Sequence, residues 1–106
     1  MSISYRRYEI LLPLRFNDGE PVPDELIGQS LLELRRQFGA ITQETQVVRG
    51  TWEHEGHLYR DDLSRVFVDV EDNVETRRFF GQWKEQLKAR FRQLEIYITV
   101  HPVERI

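Results

Sequence analysis

Apolar positions recur along this chain in two rhythms. A period of two over residues 5–13 sets Tyr8, Ile10 and Leu12 against Arg7, Glu9 and Leu11, which predicts a strand. Pro13 cannot donate to a ladder, so the strand must end or bulge there. The stretch FNDGEPVP, residues 16–23, carries turn chemistry at Asn, Asp, Gly and Pro, and reads as a loop. A period of 3.6 follows: Leu26, Ile27, Ser30, Leu31, Leu34 and Phe38 form one stripe of a helix over residues 23–38. Pro23 suits the first helical position, Asp24 and Glu25 the positive end of the dipole, and Gly39 the C-cap. A second stripe, Phe80, Trp83, Leu87 and Phe91, predicts a helix over 73–92, with Asp72 and Glu75 spaced as a capping box. Alternation returns in LEIYITV, residues 94–100, where Ile96, Ile98 and Val100 oppose Glu95, Tyr97 and Thr99.

Residues 40–70, between the helices, read as two strands joined by a two-residue turn at Glu55-Gly56. Residues paired across that turn then have numbers summing to 111, placing Arg49 opposite Asp62, Val48 opposite Leu63, Trp52 opposite Tyr59 and His54 opposite His57. Farther along, the same register sets Ile41 against Val70, Gln43 against Val68, Thr45 against Val66 and Val47 against Ser64. A bulge at Gly50 would instead place Ile41 opposite Asp69 and Val48 opposite Asp62, so the unbulged register is preferred. The hairpin outruns the first strand, and its tip, residues 50–61, should overhang the sheet as an arm. The element order is β-α-β-β-α-β. Short connections and right-handed crossovers favour an α+β layout: a four-stranded antiparallel sheet with both helices on one face. This arrangement resembles the ferredoxin-like superfold over nearly the whole chain, taken as one domain, residues 1–106. That fold hosts too many activities to choose one.

Composition removes several classes of function. The chain has 106 residues, enough for one core without staples, and a net charge of −3, which creates no field for nucleic acid or an anionic membrane. It has no cysteine, which excludes thiolate catalysis and cysteine-ligated zinc and agrees with a reducing cytoplasm. The apolar run Ile10–Leu14 is too short for a signal core or a bilayer span, so a soluble cytoplasmic protein is expected. An RNA-recognition module shares the element order, but LSRVFVDV lacks its basic-Gly-aromatic signature. Leu11 stands where a stacking aromatic belongs, and carboxylates on the same face would repel phosphate.

The densest chemistry lies in WEHEGHLYRDD, residues 52–62. Its His-Glu-Gly-His is not the zinc-protease motif, which needs His-Glu-x-x-His on a helix. Across the turn His54 and His57 oppose each other, Asp61 follows on the same side, and Asp62 points away. Two imidazoles fall short of the three or four ligands a transition metal needs, so no metal or cofactor is expected. Glu9, Asp69 and Glu95 interleave with Arg7 and Arg65 on the open face, a pattern for cross-strand ion pairs rather than a catalytic dyad. Ser64 faces the core, and no Ser, His and Asp come together.

The face away from the helices also carries Leu11, Val48, Leu63, Phe67 and Tyr97, and Trp52 with Tyr59 extends this apolar set onto the arm. An uncovered patch of that extent marks a partner or ligand surface. The preferred expectation is a non-catalytic protein acting by association, most simply as a homodimer, though a different protein or a small ligand would also cover the patch. The alternative is a small dimeric enzyme with its site between the open face and the arm, using His54, His57 or Asp61 as the polar group.

Overall fold

The computed structural model describes residues 4–106. The elements are β1 (Tyr5–Pro13), α1 (Asp24–Phe38), β2 (Thr42–Gln43), β3 (Val48–His54), β4 (His57–Glu71), α2 (Val74–Arg90) and β5 (Tyr97–Val103). The antiparallel sheet runs β2-β4-β1-β5, with β3 also on β4. This is the expected ferredoxin-like βαββαβ fold with a long hairpin. The even-numbered residues Tyr8, Ile10 and Leu12 of β1 and Val66 and Val68 of β4 are buried beneath Leu34 of α1, Phe80, Trp83 and Leu87 of α2, and Phe91 at its C-cap. Both helices therefore cover one face, and the odd-numbered residues face away. In β1 they are Arg7, Glu9 and Leu11.

Several details depart from the sequence reading. The four predicted strands become five because the second breaks into β2 and β3. The predicted sum of 111 holds in β3, where Val48 faces Leu63, Trp52 faces Tyr59 and His54 faces His57. In β2 it becomes 109, so Thr42 faces Phe67 and Gln43 faces Val66, not Val68. The Glu44 amide still donates to the Arg65 carbonyl at 2.9 Å, and the surplus residues 45–47 loop out before β3 starts. Val47, expected against Ser64, is instead 59% exposed, and Gln43 Nε2 donates to Ser64 Oγ at 3.0 Å. The shift is two residues, so each side chain that stays in the ladder keeps its face. Gly50 stays in the ladder opposite Asp61 without a bulge.

At the tip, Glu55 (φ 50°) and Gly56 (φ 78°) form the expected two-residue turn with both residues left-handed. Pro23 stands just before α1 rather than within it. Asn73, not Asp72, caps α2: its side chain accepts from the Thr76 amide at 2.8 Å. Asp72 is held instead by Arg6 at 2.6 Å. The last strand starts at Tyr97 and not at residue 94, because the Glu95 carboxylate takes the Ile96 amide at 3.0 Å and turns the chain. It runs on through Pro102, which an edge strand tolerates.

Candidate functional site

The last pair between β1 and β4 is Pro13 with Leu63. Just beyond it the Leu14 amide still donates to the Asp62 carbonyl at 2.9 Å; from there β3 and β4 continue to the turn as an arm, which gives the molecule extents of 49 × 29 × 26 Å. The arm, the end of β1 and the segment entering β5 enclose a cleft of about 600 Å³. Leu11, Pro13 and Leu63 line it from the sheet, Trp52, His54 and Asp61 from the arm, and Leu94 and Tyr97 from the β5 approach. Gly50 lies in this wall, where an added Cβ would meet Leu63 Cδ1 at 3.3 Å.

Trp52 organises the arm side of the cleft. Its ring stacks on Tyr59 with centroids 4.3 Å apart and planes 15° from parallel. Its indole Nε1–H donates to Asp61 Oδ2 at 2.5 Å, fixing the carboxylate in the cleft wall. Among the described residues no cation pairs with Asp61. Asp62, one residue on, lies between Arg49 at 3.3 Å and Arg15 at 3.6 Å. Glu95 also borders the cleft, but Lys84 of α2 binds it at 2.9 Å, and this bond holds its carboxyl below the ordinary carboxylate range.

Of the residues singled out in the sequence, Leu11, Trp52, Leu63, Tyr97, His54 and Asp61 meet in this cleft. Val48 and Tyr59 flank it in the ladder without lining it. His57 sits opposite His54 at the exposed tip, outside the cleft. Among the described residues no three His, Asp or Glu side chains gather in a ligand cluster. Phe67 is also separate. Arg7 lies 4.3 Å and Arg65 5.0 Å from its ring centre, and each guanidinium is held by carboxylates: Arg7 by Asp69 at 2.8 Å, Arg65 by Glu9 and Glu44. The hydrogen bond from Arg7 holds the Asp69 carboxyl below its ordinary value. This belt of ion pairs divides the apolar patch, so Phe67 and the cleft are two surfaces. Glu9 and Asp69 form the expected cross-strand pairs. Glu95 does not join them, because it pairs with α2 instead.

Sequence reasoning missed Asn17, Gln93 and Leu94 as cleft residues. They come from connecting segments, whose course no periodicity reports. Leu94, 69% exposed, had been assigned to the strand itself.

The chain matches no protein-family model and no curated protein. It does resemble solved structures over nearly its full length. CutA1 from Oryza sativa superposes with a TM-score of 0.66 at 8% identity, covering 99% of this chain and 84% of that one. A phage SAM lyase in complex with S-methyl-5'-thioadenosine gives 0.68 at 14% identity, covering 96% and 84%. A divalent cation tolerance protein, CutA1, from Thermus thermophilus gives 0.64 at 13%, covering 96% and 86%. At such identities the likeness establishes a CutA-like ferredoxin-like fold with a long hairpin. No helix among the described residues is long and apolar enough to cross a membrane.

Proposed function

We propose that this chain is a cytoplasmic, non-catalytic binding protein that acts by association, with a second copy covering the open face and arm. One observation carries this reading. The apolar wall formed by Leu11, Leu63, Trp52, Leu94 and Tyr97 lies away from both helices, and Tyr97 is 62% and Leu94 69% exposed. Covering such surface gains about 25 cal/mol per Å². The arm gives a second copy a long lever to grip, and the alternating ion pairs Arg7–Asp69 and Arg65–Glu9 make the neighbouring face self-complementary in charge. A homodimer is the simplest closed arrangement. Tyr97→Glu changes an outward side chain, so it should leave the fold intact and yield a monomer in sedimentation velocity. A wild-type chain that sediments as a monomer at high micromolar concentration overturns the proposal.

A second reading has one observation in its favour. The surface beside the arm is a concave cleft lined by both His54 and Asp61, with a volume in the range of small-molecule sites. The phage SAM lyase, an enzyme by its name, has this fold. On this reading the cleft holds a small ligand or substrate, with the arm as one wall.

A further inference from the structure

Resting on the reading of the cleft as a small-ligand site, we infer that its ligand is a small organic cation with an apolar body, an amine or quaternary ammonium compound, whose charge is met by Asp61 and the face of Trp52. Among the described residues the lining carries no lysine or arginine. Its two carboxylates are unequal. Glu95 is already neutralised by Lys84 at 2.9 Å, while Asp61 is paired with no cation among the described residues. Asp61 is not swinging in solvent, since Trp52 Nε1 anchors its Oδ2 at 2.5 Å. Asp61 shares the cleft with the apolar side chains of Leu11, Leu63 and Leu94.

A lone carboxylate next to apolar surface is weakly screened, so a cation entering there gains more than it would on an open surface. An anion would be repelled by the Asp61 carboxylate. The indole adds to this selection. Tyr59 covers one side of the Trp52 ring, and the ring also borders the cleft. An aromatic face carries negative charge density and attracts a cation within about 6 Å. Leu11, Leu63, Leu94 and Pro13 then cover the ligand's carbon body. His54, on the same wall, lies with its Nε2 3.9 Å from Glu55 Oε1. The Arg49 and Arg15 guanidinium groups face Asp62, on the other side of the strand, and so do not supply the missing charge.

Three probes of one size and shape separate charge from apolar fit: phenyltrimethylammonium, its neutral isostere tert-butylbenzene, and benzenesulfonate. The full chain, in whatever assembly it adopts, is titrated with each while the Trp52 indole N–H is followed by nitrogen-15 NMR, the signal being assigned with Trp52→Phe. Phenyltrimethylammonium should bind about tenfold tighter than the neutral probe. Benzenesulfonate should leave the signal unmoved. Asp61→Asn, which can still accept from the indole, should abolish the preference, and Asp61→Glu should retain it. Equal binding of the cation and the neutral probe overturns the inference and leaves the ligand-site reading standing. If no probe moves the Trp52 signal, the ligand-site reading falls as well. A preference that survives Asp61→Asn overturns the role given to Asp61. Should Asp61→Asn fail to fold, the comparison of the three probes on the wild-type chain still decides.

Discussion

Replacing Glu33 with glutamine tests how far the docking of the two helices depends on one charge. Glu33 lies on α1 and accepts from Arg90 of α2 at 2.7 and 2.9 Å and from the Trp83 indole at 3.0 Å. Arg90 also donates to Ser30 Oγ at 2.9 Å, and its side chain is only 13% exposed. The substitution Glu33→Gln preserves the volume but exchanges one acceptor oxygen for a donor that faces other donors. It leaves the Arg90 charge without its partner. Losing a charge-assisted hydrogen bond costs about 1.5–3 kcal/mol, and breaking a buried pair from one side about 3–5 kcal/mol. The Glu33 side chain is 32% exposed, so solvent screening favours the lower range, about 2 kcal/mol. For a chain of this size that lowers Tm by roughly 8 °C. The effect should depend on pH. The Arg90 hydrogen bonds, with burial opposing and the Trp83 bond helping, hold the Glu33 carboxyl below its ordinary value. A carboxylate whose pKa is lowered by folding stabilises above its unfolded pKa and loses that contribution as pH falls through the folded value. The difference between wild type and Glu33→Gln should therefore be full at neutral pH and shrink as pH drops below about 4. Urea unfolding followed by circular dichroism, repeated across that range, measures both. A neutral-pH loss under about 0.5 kcal/mol, or a difference that does not change with pH, would refute the reasoning.

Two further predictions concern the core and the arm tip. The Tyr8 hydroxyl is buried with no hydrogen-bond partner among the described residues, while its ring stacks on Phe80 at 4.1 Å. Tyr8→Phe keeps the stack and removes the unsatisfied group, so it should raise stability by about 1 kcal/mol in urea unfolding; a loss of that size would show that the hydroxyl has a bound water. His54 and His57 face each other at the exposed tip without a third ligand among the described residues, so chelator treatment should leave Tm unchanged. A fall of several degrees that metal restores would make the two histidines ligands.

Periodicity reported the parts of this fold in which one physical rule acts alone. The stripes Phe80-Trp83-Leu87-Phe91 and Ser30-Leu34 are buried because a helix has one face to hide, and spacing identifies that face. The hairpin register was equally legible near its turn, where Glu55 and Gly56 set the pairing and Arg49–Asp62 gains an ion pair from it. It drifted at β2 because two structures compete there. Continuing the ladder would pair Thr42 with Asp69, while looping out residues 45–47 pairs Thr42 with Phe67 and leaves Asp69 to Arg7. A two-residue slip preserves the alternation, so the pattern of apolar residues does not distinguish the two. Helix caps were ambiguous for a similar reason. Asp72 and Asn73 both suit the position, and a partner distant in sequence, Arg6, takes Asp72 away.

The candidate site was legible as a set of residues but not as a shape. Alternation places Leu11, Leu63, Tyr97, Trp52 and Asp61 on the same side, and the structure keeps them there. It does not say which of them share a surface. Phe67 lies on that side too, yet Arg7 and Arg65 cover its ring, and the Arg65–Glu9 pair crosses the sheet between it and Leu11. Charge alternation along single strands hides this barrier, because the pairs form between strands. The cleft has a further cause: the β1–β4 ladder ends at Pro13 and the Leu14–Asp62 hydrogen bond, β4 runs on toward the tip, and the segment through Leu94 and Glu95 closes the gap instead of extending the sheet. Concavity here thus arises where the ladder stops, at a proline on one strand and at a carboxylate-held turn before another. The same stop leaves Asp61 in the cleft wall, held among the described residues by the Trp52 indole. A regular fourth strand in that place would have filled the space, and the chain would have had a flat face and no cleft.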